Sequence, residues 1–251
     1  MTSDPDEWLV GAPGPGGPEP AVPAATVVPL RDGGGGLEIL FLRRRPGEVF
    51  GGLWVFPGGR VEAGDGAVPV SLPTDEVGER AAEVAIARRA ALREAAEEAG
   101  LVLDPESLLV HSWWVPAPEI PRRFSTWFFL APVTTETAVV VDRAEVHAHR
   151  WLEPGAALAA RDAGEIGLAP PTWMTVWQLG RWSDVASALA DAVARPPGEF
   201  RTRMATSPDG RQAMLWEGDA AWPGGDLSRP GPRNRLWVNP DGPWTPEVDT
   251  P

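Results

Sequence analysis

The chain has 251 residues, 43% of them hydrophobic, so a domain with a sizeable core can form. It contains no cysteine and three histidines, which excludes disulfides and thiolate metal sites and leaves little for a zinc site, so any metal site must be built from oxygen. A net charge of −13 argues against nonspecific nucleic-acid binding, because phosphate backbones need a basic surface.

The N-terminal segment carries no targeting signal that we recognise. Residues 1–20 are acidic and rich in Pro and Gly, without the basic and apolar regions of a signal peptide, and no apolar run in the chain is long enough to span a membrane. We therefore expect a cytoplasmic protein with no membrane contact. Residues 1–24 are predicted to form a disordered arm, since they cannot bury enough apolar surface to offset the entropy of ordering.

A strand-rich region follows the arm. Short apolar runs at 25–30 and 37–42 flank a glycine-rich loop, which predicts a β-hairpin. The aromatic segment from Gly51 to Val61 is strand-like and contains the Gly58-Gly59 pair, which predicts a tight turn.

Helical patterns and further strands occupy the middle of the chain. A helix is predicted from an N-cap at Thr74 to a stop at Gly100, and strands are predicted at 108–115, 125–133 and 146–151. A last helical region covers 171–194, with a break near Gly180 and a restart at the N-cap Ser183. The pattern predicts an α/β domain over residues 25–195, followed by a Pro-, Gly- and Trp-rich extension, 196–251, of unknown role.

Three carboxylates lie on one face of the predicted helix. Glu97 and Glu98 follow Glu94 by three and four residues, so their side chains are neighbours on the helix surface. A divalent cation held between like charges would convert their repulsion into a binding site, and carboxylate oxygens favour Mg²⁺ or Mn²⁺. Acid-rich helix faces are usually just solvated, so this cluster alone is weak evidence.

The helix and the preceding glycine turn together resemble the Nudix box. The matching positions are Gly59, Arg93, Glu94, Ala95, Glu97, Glu98, Gly100 and Leu101. Two features depart from the usual box: Asp65 stands at the position of its first glutamate, and about 20 residues are inserted between Asp65 and Arg93. A longer loop and an early helical start would absorb this insertion.

The resemblance implies a fold and a set of roles. It implies an α/β/α sandwich with a mixed β-sheet between helices, and a hydrolase that uses Mg²⁺ or Mn²⁺ to cleave a diphosphate linkage. The implied metal ligands are Glu94, Glu97, Glu98 and the carbonyl of Gly59. Arg93 would orient the glutamates, and either one of them or Glu145 would be the catalytic base.

Further segments resemble the branch of this superfamily that cleaves coenzyme A or acyl-coenzyme A and carries an insertion in its box. They are Ile39–Arg45, Pro121–Phe129 and Pro170–Thr172. Coenzyme A carries a 3′-phosphate beside its diphosphate, and guanidinium groups bind phosphate bidentately, so the three consecutive arginines on one of these segments are candidate substrate-binding residues. They are Arg43, Arg44 and Arg45.

The residues leave other functions open. NADH, ADP-ribose or another nucleoside diphosphate derivative would suit the same carboxylates. An inactive Nudix-fold binding or regulatory module is a second alternative, motivated by Asp65 and the insertion. In each case the expected partner is a small nucleotide-like molecule rather than nucleic acid or membrane, and a homodimer is neither indicated nor excluded.

Overall fold

The computed structural model describes residues 21–47, 50–66, 76–120, 123–142, 144–239 and 242–249. The predicted arm up to residue 20, the predicted N-cap Thr74, and Pro121 and Arg122 lie outside these ranges. The chain divides into two compact units. The larger comprises Val22–Ser112 and Thr126–Gly198, and the smaller comprises Met1–Ala21, Trp113–Ser125 and Glu199–Pro251.

A β-sheet forms the centre of the larger unit. Its strands are β1 (Val22–Gly33), β2 (Gly36–Arg44), β3 (Trp54–Val55), β4 (Gly58–Arg60), β5 (Leu109–Val115), β6 (Phe124–Pro132) and β7 (Val146–Leu152). They are arranged in the order β3-β2-β1-β6-β5, with β4 paired to β1 and β7 paired to β2. β1 begins at Val22, so residues 22–24 are strand and the predicted arm extends too far.

Four helices accompany the sheet. They are α1 (Glu76–Ala99), α2 (Pro154–Asp162), α3 (Pro170–Leu179) and α4 (Val185–Ala194). α1 contacts β1 and β4, α2 contacts β2, and α4 contacts β1. The predicted α/β class, with a mixed sheet and helices packed on it, is confirmed. Among the described residues, no helix combines the length and the apolar character that crossing a membrane requires.

The β1–β2 hairpin is confirmed and supplies much of the core. Its strands pair antiparallel from Leu30 opposite Ile39 to Gly33 opposite Gly36, where Gly36 adopts a φ of +133°. Consecutive side chains at the centre of both strands are fully buried: Val27, Val28, Ile39, Leu40, Phe41 and Leu42. Because neighbouring side chains on a strand point to opposite faces, both faces of this hairpin are covered.

α1 confirms the predicted helix and its early start. It begins at Glu76, more than four turns before Arg93, so helix takes up much of the insertion. Gly100 ends it with a φ of +66°, and its amide donates to Ala96 at 3.0 Å. The buried face is made of small side chains that are at most 2% exposed: Ala82, Ala87, Ala90, Ala91, Ala95 and Ala99. Such a face lets the helix axis lie close to the sheet.

One local prediction at the later helices needs correction. The N-cap of α4 is Asp184, whose carboxylate accepts from the amide of Ser187 at 2.8 Å, and the predicted cap Ser183 instead donates its hydroxyl to Asp184. The predicted break near Gly180 is confirmed, since α3 ends at Leu179. α2 was not predicted, because its Pro-Gly start and nine-residue length give a weak helical pattern.

The smaller unit has a core of its own. β8 (Gly198–Arg201) precedes an antiparallel sheet of β9 (Arg203–Thr206), β10 (Gln212–Leu215), β11 (Asn234–Val238) and β12 (Thr245–Val248), in the order β12-β11-β10-β9. Trp114 stacks on Phe200 with centroids 3.9 Å apart, and Trp216 meets both rings edge-on. The extension whose role was unknown therefore contains strands β8 to β12, including all four strands of this sheet.

A buried ion pair joins β11 to the loop before it. Two guanidinium nitrogens of Arg235 each lie 2.7 Å from an oxygen of Asp219, and these side chains are 2% and 0% exposed. The Asp219 carboxylate also accepts from the amides of Ala221 and Asn234. Burial alone would raise the pKa of Asp219, but the hydrogen bonds from Arg235 and the two amides outweigh it and lower the pKa.

We expect Asp219→Asn to lower the free energy of unfolding by about 3–5 kcal/mol, because it removes the buried charge that is hydrogen-bonded to Arg235 and leaves only Glu247, 3.9 Å away, to oppose it. Chemical denaturation at neutral pH would measure this loss. Since the folded pKa lies below the unfolded value of about 3.8, the difference from wild type should shrink as the pH falls below that value. Asp209→Asn, which breaks an exposed pair with Arg211, is the control and should have little effect. Equal losses in both variants would contradict a special role for the buried pair.

Candidate active site

The candidate active site lies in the larger unit, where the C-terminal half of α1 meets the Gly58-Gly59 strand, the end of β2 and the segment before β7. Helical spacing brings Glu94, Glu97 and Glu98 to one side of α1, as predicted. The site is held together by two arginines, Arg93 on α1 and Arg44 at the end of β2.

Arg93 contacts four groups at once. Its Nε and Nη2 donate to the two carboxylate oxygens of Asp65 at 3.0 and 3.1 Å. Its Nη1 donates to Glu94 at 2.8 Å and to Glu97 at 3.0 Å, and Nη2 also donates to the carbonyl of Arg60. The hydrogen bond to Asp65, against the opposing effect of burial, raises the pKa of Arg93 well above its ordinary value, so the guanidinium stays charged. It braces two of the three helix glutamates.

Asp65, which stands where the usual box has a glutamate, reaches Arg93 from a buried position. It ends a short 3₁₀ turn, Ala63–Asp65, and is 4% exposed. Its carboxylate accepts from the amide of Glu62 at 2.7 Å, and Arg89 donates to its backbone carbonyl. Burial raises the pKa of Asp65, but the hydrogen bonds from Arg93 and Glu62 outweigh burial and lower it. Asp65 is thus an anchor for Arg93 that does not face solvent.

Glu98 is the most buried of the helix glutamates, with a side chain that is 4% exposed. One oxygen accepts from the amide of Gly58 at 2.9 Å, and the other lies 2.5 Å from Nη1 of Arg44. Burial raises the pKa of Glu98 to about 7, although the charge of Arg44 and the Gly58 amide oppose the rise. The neighbouring charges of Glu94 and Glu145 add to it.

The site carries more negative than positive charge. The carboxylates of Asp65, Glu94, Glu97, Glu98 and Glu145 share the guanidinium groups of Arg44 and Arg93. Burial raises the pKa of Glu94, and the charges of Glu97 and Glu145 act in the same direction, while Arg93 opposes them. Such an excess of acid is what a bound cation would relieve.

Gly58 and Gly59 lie in strand β4 rather than in the predicted tight turn, and they permit close approach of backbone and carboxylate. A Cβ atom at Gly59 would lie 2.5 Å from Cδ of Glu94, and one at Gly58 would lie 2.5 Å from the carbonyl oxygen of Ala25. Neither position can carry a side chain without a shift of its neighbours. Gly59 is therefore next to Glu94, as the sequence suggested.

The three consecutive arginines do not form one cluster. Strand alternation puts Arg43 and Arg44 on opposite faces of β2, and Arg43 pairs in register with Trp54 and Ala148. Arg44 faces the carboxylates, where its Nη2 lies 3.0 Å from Glu145. Arg43 and Arg45 are both exposed. The contact of Arg44 with two acids was not predicted, and no sequence pattern links residues so far apart.

Within the described ranges, no three His, Asp or Glu side chains are already arranged to hold a metal ion. The donor chemistry nevertheless fits Mg²⁺ or Mn²⁺. Oxygens of Glu94 and Glu97 converge on a single nitrogen of Arg93, and the acids outnumber the basic groups. Hard oxygen donors with surplus negative charge are the ligands these cations prefer.

The fold and the acidic site together define a hydrolase of the Nudix type, and comparison with known proteins agrees. Residues 20–172 match the NUDIX domain family. The chain belongs to this family, and it is accordingly a Nudix pyrophosphohydrolase.

Solved structures extend the comparison. A NUDIX hydrolase from Alicyclobacillus acidocaldarius is 23% identical and aligns over 68% of this chain and 96% of its own, with a TM-score of 0.58. A C. elegans Ap4A hydrolase in a binary complex is 21% identical over 68% and 99%, with a TM-score of 0.43. The NUDIX domain of Shewanella oneidensis NrtR complexed with ADP ribose is 19% identical over 72% and 98%, with a TM-score of 0.45. Of these three, the first supports the fold.

We expect Asp65→Asn to reduce both activity and stability, because Arg93 loses its charged bidentate partner. A loss of about 2–4 kcal/mol in the free energy of unfolding is expected, measurable by chemical denaturation. Asp162→Asn, which removes the partner of Arg161 on α2, is the control. If both variants lose the same free energy of unfolding, Asp65 does not anchor Arg93.

A second variant tests the close approach of Gly59 and Glu94 without removing a charge. Gly59→Ala should force the Glu94 carboxylate to move and reduce turnover of whichever diphosphate substrate the wild type cleaves, with a smaller effect on stability. Gly34→Ala is the matched control, since no atom lies within 4 Å of a Cβ there. Full activity of Gly59→Ala would show that the position of Glu94 is not critical.

Proposed function

We propose that the chain is a metal-dependent diphosphatase whose substrate is coenzyme A or an acyl-coenzyme A. The observation that carries the reaction is the surplus of carboxylates on α1 beside the two glycines of β4, held in place by Arg93 and Asp65. The coenzyme A assignment has separate support in the resemblance of segments 39–45, 121–129 and 170–172 to that branch of the superfamily.

The metal site we propose consists of Glu94, Glu97, Glu98 and the carbonyl of Gly59, which would hold Mg²⁺ or Mn²⁺. When bound, such a cation supplies charge neutralisation for the diphosphate and Lewis acidity for the attack. Arg93 keeps Glu94 and Glu97 directed towards each other. Asp65 keeps Arg93 in place.

The reaction itself is a substitution at phosphorus. A water oxygen forms a bond to one phosphorus atom, the bridging P–O bond breaks, and a glutamate takes the proton that the water loses. Glu97 and Glu145 are 58% and 51% exposed, which supports either as that base because both can reach a water molecule. The products are a phosphopantetheine and an adenosine bisphosphate.

Arg43 and Arg45 are the proposed contacts for the substrate's phosphates. Both are exposed near the end of β2. Strand alternation directs Arg43 away from the face that carries Arg44, so a substrate that contacts it must extend around the strand end from the acidic site. Guanidinium groups in such a position can bind the 3′-phosphate that distinguishes coenzyme A from NADH and ADP-ribose. Arg44, the third member of the predicted set, already contacts Glu98 and Glu145.

Incubation of the protein with coenzyme A, acetyl-coenzyme A, NADH and ADP-ribose, in Mg²⁺, Mn²⁺ or EDTA, tests the proposal by product mass. We expect metal-dependent release of adenosine 3′,5′-bisphosphate. Glu97→Gln and Glu98→Gln should lower the rate by roughly a hundredfold or more, since several kcal/mol of transition-state stabilisation depend on the cation. Glu83→Gln, at an exposed position on the same helix, is the control.

The other outcomes separate the remaining functions. Cleavage of NADH or ADP-ribose alone would keep the mechanism and reject coenzyme A. Cation binding without cleavage of any substrate would favour a binding or regulatory module. The cytoplasmic location stays a prediction, and gel filtration would decide whether a homodimer forms.

A further inference from the structure

Arg44 connects three parts of the larger unit through one side chain. It ends β2, is 14% exposed, and extends Nη1 to Glu98 on α1 and Nη2 to Glu145 before β7. The Glu98 oxygen is 2.5 Å away and the Glu145 oxygen 3.0 Å away. A single planar group therefore determines the separation of two carboxylates that come from distant parts of the sequence.

The backbone strengthens the same connection. The amide of Arg45 donates to the carbonyl of Glu145 at 2.9 Å, next to the irregularity where the β2–β7 pairing shifts between Arg43 and Arg44. Glu145 is thus held by both the side chain and the backbone of consecutive residues. Glu98 is fixed by Arg44 and by the Gly58 amide, so each of its two oxygens has a partner in the protein.

The backbone of Arg44 is fixed independently of the two acids, since its amide donates to the carbonyl of Leu53 and its carbonyl accepts from the amide of Gly52, both at 3.1 Å. Its Nε is buried and has no hydrogen-bond partner among the described residues, so the guanidinium gives up one contact while it reaches both carboxylates. Lysine would keep the charge but not the two separated nitrogens with which Arg44 reaches Glu98 and Glu145, because an ammonium group lacks the rigid fork of a guanidinium.

We propose that Arg44 is a positioning residue, which holds Glu98 and Glu145 at a fixed separation so that the acidic site can bind its divalent cation. The inference rests on the proposed metal-dependent function and extends it to a residue outside the Nudix box. Arg44 acts through the two glutamates and does not contact the substrate.

The direction in which the cation affinity changes distinguishes a positioning role for Arg44 from simple charge neutralisation. If Arg44 only neutralised the acids, it would compete with the cation, and its loss would tighten cation binding. If it positions them, its loss weakens binding, because the proposed ligand Glu98 loses one of its two fixed contacts and must be ordered again when the cation binds. Arg44→Lys keeps the charge and removes the fork, so it isolates the geometric contribution.

The experiment is a titration of the full chain with Mn²⁺, in which the free ion is followed by electron paramagnetic resonance. We expect Arg44→Lys to raise the dissociation constant for Mn²⁺ by roughly tenfold to a hundredfold, the range typical of residues that orient metal ligands. Turnover of the wild-type substrate should fall in parallel. Saturating Mn²⁺ should restore part of that loss.

Arg31→Lys is the matched control. Arg31 is also on the β1–β2 hairpin, where its Nε lies 2.7 Å from Glu38, and these side chains are 21% and 19% exposed. The Arg31→Lys variant should bind Mn²⁺ with the same dissociation constant as the wild type. An Arg44→Lys affinity within twofold of wild type, or tighter, would overturn the inference while leaving the proposed function intact. Failure of the wild type to bind Mn²⁺ would overturn both.

A second measurement applies if Arg44→Lys does not fold. The crystal structure of the wild type with Mn²⁺ should show the Arg44 guanidinium within hydrogen-bond distance of both Glu98 and Glu145. A structure in which the cation has displaced Arg44 from either carboxylate would overturn the positioning role.

Discussion

Repulsion between carboxylates is the constraint on which the site depends. Three glutamates share one face of α1, and Glu145 approaches them from the segment before β7. The fold opposes this repulsion with two guanidinium groups that are themselves fixed, Arg93 by Asp65 and Arg44 by its position at the end of β2. The alanine face of α1 and the glycines at 58 and 59 then bring helix and strand close enough for these contacts.

Sequence patterns predicted the elements whose signals are local. The β1–β2 hairpin followed from apolar runs around glycines, and α1 followed from helical spacing with a glycine stop. The antiparallel sheet of the smaller unit was not predicted, because its strands are four or five residues long and are separated by Pro- and Gly-rich segments. The N-cap at Asp184 was missed by one residue, since Ser and Asp are equally good caps.

In the candidate site, too, only the contacts between residues close together in the sequence were predictable. Spacing along α1 brought Arg93, Glu94, Glu97 and Glu98 together, because positions three and four apart are neighbours on any helix. The contact of Asp65 with Arg93 spans 28 residues and was not predicted, although the Nudix resemblance assigned both residues to the box. The contact of Arg44 with Glu98 spans 54 residues and depends on sheet register, which a single sequence does not encode in any visible motif.

The aromatic cluster of the smaller unit indicates how much of the chain is needed to keep the region that matches the family packed. The stretch from Trp113 to Ser125 lies inside the region that matches the family, yet Trp114 is covered by Phe200 and Trp216 from the C-terminal extension. A chain shortened to residue 198 would keep every residue of the acidic site and expose an indole that is now 3% accessible. Such a truncation would remove two of the three rings of this cluster, so the packing around Trp114 depends on residues beyond the region that matches the family.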